Sequence, residues 1–241
     1  MLICTPLYGA NHSASVALGY HEALLKLVMS PDVALMDYRL FVNTDLVRAR
    51  SRALMIAYER GVDHLLFWDA DVQAPPEQIG MCLRRMMMSG FDLVGAPYAR
   101  KRVSWDKVAA ALANGVPPSA ENLERAAYDF PVHDVQSDVV SNGCSPCRYL
   151  PMGFTLLTKR CIKTMVEAEG NKHLRYRDHY DGAWHEVVAA FALIINNEGL
   201  LLSEDHSFCE RYSWEGGKPQ LYVGEGASLQ HVGSFVYGRT A

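Results

Sequence analysis

Apolar positions along the first hundred residues alternate between short unbroken runs and stripes at helical spacing. Leu2 to Thr5 is a brief apolar run stopped by Pro6 and Gly9, and Ser13 to Met29 places Val16, Tyr20, Leu24 and Leu27 on one helical face. Val33 to Phe41 reads as a second strand. Asp45 is placed to cap a helix over Leu46 to Arg60, which Gly61 ends. Leu65 to Trp68 is a third strand, Pro76 to Ser89 a helix closed by Gly90, and Phe91 to Ala96 a fourth strand. Strands that alternate with helices predict a parallel sheet with helices on both faces. The fold class expected is therefore α/β, a single Rossmann-like domain with a mostly parallel central sheet.

The rhythm breaks after Pro97. Tyr98 to Arg102 is a small basic cluster, Trp105 to Asn114 and Ala120 to Ala127 read as short helices, and Gly115-Val-Pro-Pro-Ser119 is a loop between them. This stretch is expected to lie over the sheet edge as an inserted lid. Val139-Val140 and Tyr149 to Thr158 read as strands flanking an Asn142-Gly143 turn. Lys159 to Glu169 reads as a helix and His173 to Trp184 as polar, aromatic loop. Leu200 to Leu202 leads to a helix from Ser203 to Tyr212, with Ser203 as its cap, and Gln220 to Val223 is a last short strand. The organisation expected is a nucleotide-binding half over 1–97, an insertion over 98–138, and an acceptor-side half with a C-terminal tail over 139–241.

At 241 residues, 49% apolar and 21% charged, the chain is long enough for one sizeable core. Its net charge of −4, without a basic block, predicts no nucleic-acid partner, so any anionic ligand must be held locally. No apolar run reaches the ~18 residues that span a bilayer, and the N-terminus lacks a secretory pattern; no transmembrane segment and a cytoplasmic location are expected. The six cysteines read as buried thiols of a reducing compartment. Only Cys144 and Cys147 have metal-ligand spacing, and a turn with two free thiols is favoured there over zinc.

Chemistry concentrates where the third apolar run stops on Asp69-Ala70-Asp71. In an extended chain, residues i and i+2 point the same way, so both carboxylates can meet one divalent cation at a strand tip, the place where open α/β sheets bind ligands. A turn cap and a solvated aspartate are the plainer account. A second acidic pair, Glu204-Asp205, opens the helix after Leu202, where a simple N-terminal cap would explain it as well.

With Asp69/Asp71, Glu204-Asp205 and His231 in this order, the chain resembles GT-A-fold glycosyltransferases of the bacterial and viral family 2 type. Five segments carry the resemblance: Ala49-Arg50-Ser51 with Leu65 to Asp71, against "ARN…LLFIDADI"; Val94 to Tyr98 with Lys101 and Trp105; Pro151 to Phe154, against "GxGF"; Ser203 to Cys209, against "SEDxxFC"; and Leu229 to His231, against "LxHxG". Ser51 replaces the usual Asn, and Met152 stands where the first Gly would be.

The resemblance implies a metal-dependent transfer of a sugar from a nucleoside-diphosphate sugar, UDP favoured, to an acceptor hydroxyl on a carbohydrate or glycosylated acceptor. Mn²⁺, or Mg²⁺, would be held by Asp71 and His231, with Asp69 on the ribose or a metal-bound water. Thr5, Pro6 and Tyr8 would hold base and ribose, although Tyr8 is equally read as ordinary packing. Arg50, Ala70 and Lys101 would line the donor site, Arg50 reaching the diphosphate or ribose. A solvated arginine and a solvated basic loop are the competing readings for Arg50 and Lys101. Asp205 would take the acceptor proton, with Glu204 in support. Trp105, Trp184 and Trp214 are read as core packing ahead of sugar platforms.

Three other classes share parts of this pattern. A haloacid-dehalogenase-like phosphatase also uses Asp-x-Asp, but Gln73 stands where it wants Thr or Val. A sugar-phosphate nucleotidyltransferase needs a glycine-rich N-terminal loop, and Pro6-Leu-Tyr-Gly9 has one glycine. A catalytically silent carbohydrate-binding module would have no use for both acidic pairs and His231.

Overall fold

In a computed structural model, residues 1–7, 37–42, 44–132, 134–136, 138–227 and 229–232 are described. The expected helix Ser13 to Met29, and the positions of Tyr8, Gly9 and Gly233, lie outside them. The architecture is α/β, as expected: a seven-stranded central sheet with helices on both faces.

The sheet runs β2 (Asp37–Val42), β1 (Leu2–Leu7), β3 (His64–Trp68), β7 (Phe154–Thr158), β5 (Leu93–Gly95), β10 (Gln220–Tyr222), β6 (Cys144–Pro146). β1 pairs in parallel with β2 and β3, and β5 with β10, while β7 and β6 run the other way. Five strands thus share one direction, and their carboxyl ends form one rim.

The unbroken apolar run of β3 has a simple cause: both of its faces are covered. Leu65 and Phe67 join a core with helix α1 (Leu46–Glu59), α5 (Lys159–Glu167) and α6 (Glu204–Trp214). Leu66 and Trp68 join the opposite core with α2 (Pro76–Met88). Trp68 is buried edge-on against Phe154, with ring centroids 5.5 Å apart. Helix α1 begins where Asp45 accepts a hydrogen bond from the Arg48 amide (2.9 Å), and Gly61 after it takes φ +62°, which glycine adopts without strain.

The insertion carries α3 (Trp105–Ala113) and α4 (Ala120–Ala127). Asn142 and Gly143 both have positive φ, 50° and 73°, between Ser141 and Cys144, which exchange backbone hydrogen bonds at 2.9 Å. That is the two-residue turn expected there. Val139 and Val140 are not a strand; they are about half exposed, and a strand needs a partner for its backbone. Of the expected strand Tyr149 to Thr158, Phe154–Thr158 forms β7, and Tyr149 makes an isolated bridge.

His173 to Trp184 is not a loop. A 3₁₀ turn (Glu169–Leu174) leads into a hairpin of β8 (Arg175–Tyr180) and β9 (Ala183–Val188), turned by Asp181 and Gly182 at φ 51° and 77°. Exposed Arg175, Arg177, His179 and Glu186 alternate poorly with an exposed Trp184 and a buried Asp178, so the apolar pattern is weak. Tyr180, Val187 and Val188 join the core, and the bidentate contact of Arg52 with Asp178 (2.6 and 2.8 Å) fastens the hairpin to α1. No helix among the described residues is long and apolar enough to cross a membrane.

Candidate functional site

The apolar run of β3 ends at Trp68, and a turn follows in which the Val72 amide donates to the Asp69 carbonyl (3.0 Å). The extended spacing that would align Asp69 with Asp71 is therefore lost. Asp69 turns to Arg50 and Asp71 turns to His231 and Lys101. The Trp68 indole locks the turn by donating to the Val72 carbonyl (2.8 Å).

His231 reaches Asp71 through backbone pairing. The Leu229 amide donates to the Pro97 carbonyl (3.1 Å), β11 (Gln230–His231) pairs antiparallel with β4 (Val72–Gln73), and the Val232 amide donates to the Asp71 carbonyl (2.8 Å). Residues after β3 and after β5 thus grip the tail from both sides. The His231 Nε2 stands 3.5 Å from Asp71 Oδ2, while Nδ1 lies 3.0 Å from the Ala99 carbonyl. A carbonyl can only accept, so Nδ1 carries the proton. Nε2 therefore faces the carboxylate oxygen, and the two atoms could hold one cation between them.

Lys101 also pairs with Asp71 Oδ2. Burial works to raise the Asp71 carboxyl, but its contacts with His231 and Lys101 outweigh that and lower it to about 2. The Tyr98 ring packs edge-on to His231 at 5.0 Å, and its hydroxyl accepts from the Gly153 amide (3.0 Å). Burial pushes the Tyr98 hydroxyl well above its ordinary value, with the Asp69 charge adding to it.

Arg50 is 2% exposed and bridges the two acidic motifs. Its guanidinium lies 3.1 Å from Asp69 and 2.5 Å from Glu204. Burial works against its charge, yet the two carboxylates outweigh it and hold Arg50 more firmly protonated than usual. Arg50 is thus not solvated; it ties α1 to the β3 tip and to the start of α6. Glu204 is correspondingly spoken for. Asp205 accepts from the Ser203 hydroxyl and from the His206 amide (2.8 Å) on one oxygen, Oδ1. Ser203 precedes α6 as expected, but its hydroxyl serves Asp205 and makes no cap bond to the helix backbone.

Thr5 and Pro6 are buried near the carboxyl end of β1, and Ala70 lies in the turn between the two aspartates. Trp105, Trp184 and Trp214 are 68%, 63% and 64% exposed, so the expectation of core packing fails for all three. Cys144 and Cys147 are buried free thiols, as are the other four cysteines. Among the described residues, no three His, Cys, Asp or Glu side chains are grouped to hold a metal. Asp71 and His231 are thus the protein ligands on offer, and one carboxylate plus one imidazole fits a cation whose remaining positions are filled by phosphate oxygens and water.

A cleft of about 670 Å³ opens beside them, lined by Arg100, Lys101, Arg102, Tyr128 and His231. An apolar groove of about 550 Å³, walled by Phe130, Val132 and Leu221, adjoins it; Gln78 and Phe130 line both. The basic cleft, not the groove, carries the charged chemistry. Sequence reasoning missed the Trp68 clamp, the Ala99 carbonyl behind His231, and the Arg50 bridge to Glu204. A tryptophan closing a buried strand was a signal for the first. A backbone carbonyl leaves none.

Fold and site together define an α/β protein with a carboxylate–imidazole pair at the strand rim beside a basic cleft. No family model matches the chain, and no curated protein matches it. Among solved structures it is similar to the crystal structure of A197 from STIV, at 12% identity and a TM-score of 0.44, covering 100% of this chain and 99% of that one. A likeness this remote carries no functional inference.

Proposed function

We propose that the protein is a metal-dependent glycosyltransferase that moves a sugar from a nucleoside diphosphate to an acceptor hydroxyl. The observation that carries this reading is the Asp71–His231 pair, with Oδ2 and Nε2 3.5 Å apart and Nδ1 committed to the Ala99 carbonyl. Mn²⁺ or Mg²⁺ bound there would act as a Lewis acid, neutralising the charge that develops on the leaving diphosphate. Lys101, with Arg100 and Arg102 in the same cleft, supplies further positive charge for that diphosphate. Thr5, Pro6 and Ala70 lie toward the same rim and fit the nucleoside end; UDP is the favoured carrier.

Arg50 decides between the two acidic residues of α6. Its ion pair with Glu204 leaves that carboxylate a structural partner, so Asp205 is the group to take the acceptor's proton. Asp205 holds its Oδ1 in hydrogen bonds from Ser203 and His206, which fixes the carboxylate's orientation. The acceptor is a carbohydrate or a glycosylated molecule.

Calorimetric titration of Mn²⁺ and UDP, with donor hydrolysis measured for the parent, Asp71→Ala and Asp205→Asn, tests this. Nucleotide binding that needs Mn²⁺ is expected in the parent and in Asp205→Asn, but not in Asp71→Ala. Turnover by Asp205→Asn should fall about 10²- to 10⁴-fold. Equal turnover in the three proteins removes these roles, and a parent that binds neither Mn²⁺ nor UDP is a silent scaffold.

A further inference from the structure

We propose that Lys101 is a resident counter-ion that holds the cation's place on Asp71 and passes to the donor's phosphates when a divalent cation arrives, so that metal binds before donor. This rests on the metal site proposed above and adds an order of events to it.

Three observations carry the argument. The Lys101 ammonium and the His231 imidazole address one oxygen, Asp71 Oδ2. A side-chain cation therefore already pairs with the oxygen that faces Nε2, and a divalent ion bound to that oxygen would compete with it. Secondly, the backbone that bears Lys101 is tethered. The Arg100 amide donates to the Asp129 carbonyl (2.7 Å), the Arg102 amide to the Arg100 carbonyl (2.7 Å), and Val103 bridges to Tyr128. Ala99, two residues before Lys101, is held by its carbonyl on His231. The exchange is consequently a swing of one side chain, with the turn staying in place.

Thirdly, the swing costs little and has a destination. Lys101 and Asp71 side chains are 40% and 35% exposed, and an ion pair this open to water is weak. The displaced ammonium stays on a flexible stem in the basic cleft beside Arg100 and Arg102, where a diphosphate would complete its pairing. Without a cation, Lys101 neutralises Asp71; with one, it is a like charge until phosphate joins it. That makes metal and donor mutually reinforcing ligands.

The test measures Mn²⁺ affinity without nucleotide, by electron paramagnetic resonance of the free ion, for the parent, Lys101→Met and Lys101→Arg at low salt. Lys101→Met should bind Mn²⁺ about fivefold more tightly, because it loses both the competing pair and a nearby positive charge. Lys101→Arg should resemble the parent. In saturating Mn²⁺, calorimetry should then show UDP binding weakened about tenfold in Lys101→Met. A merely structural lysine would not give a gain in metal affinity when removed. Equal or weaker Mn²⁺ binding by Lys101→Met, or unchanged UDP affinity, overturns the exchange. Absence of Mn²⁺ binding in the parent itself would instead bring down the metal site, and the exchange with it.

Discussion

Replacing Arg50 by Met keeps most of the side chain's volume and removes its charge from between Asp69 and Glu204. The guanidinium is 3% exposed, and its partners are 23% and 18% exposed. Deleting one member of a buried pair commonly costs about 3 to 5 kcal/mol, because the remaining charge is left unpaired. Here two carboxylates would be left, but both reach the rim and regain part of their hydration, which places the loss at the lower end, about 3 kcal/mol. For a chain of this size that corresponds to a fall in Tm of roughly 6 to 12 °C. Urea unfolding in EDTA measures it without a bound cation masking the repulsion. Adding Glu204→Gln should recover about 1 to 2 kcal/mol, since the stranded carboxylate is then neutral. Losses that simply add, or a single-variant loss under about 1 kcal/mol, would refute the account of Arg50 as the tie between the two motifs.

Gly153→Ala should destabilise the protein by about 1 to 3 kcal/mol in thermal unfolding, because a Cβ there would meet the Tyr98 hydroxyl oxygen at 2.5 Å; an unchanged Tm would show that Tyr98 can retreat. The hydrogen bonds of Arg52 lower the Asp178 carboxyl below its ordinary value. Its folded pKa lies under the unfolded value of about 3.9, so the pair stabilises above about pH 4 and its contribution is lost as pH falls through the folded pKa. Asp178→Asn should therefore be less stable than the parent at pH 7, with the gap in urea midpoints closing below pH 4; a gap that is constant with pH contradicts this.

Much of the first half of the fold was legible along the chain. β3 and the helices around it follow from apolar runs closed by Asp, Pro and Gly, because a strand covered on both faces needs no polar residue and a helix end needs a cap. The hairpin at Asp181-Gly182 had its turn signal, but charged residues spread along its strands hid it; its packing joins Tyr180, Val187 and Val188 to the core and Arg52 to Asp178, residues 126 apart in sequence. Asp69 and Asp71 show the limit most clearly. Residue types and spacing marked them as a pair, since carboxylates ending an apolar run invite a cation. Whether they act together depended on the turn at Val72, which a tryptophan from the preceding strand holds.

Composition and periodicity determined the layers, the helix boundaries and which residue types collect at the strand rim, because those follow from burial and backbone satisfaction within a few neighbours. Tertiary structure alone decided the pairing of charges. Arg50 with Glu204, Asp71 with His231, and Lys101 with Asp71 join residues 154, 160 and 30 positions apart. Coulomb forces act over a few ångströms through space, and only the folded backbone determines which charges come that close.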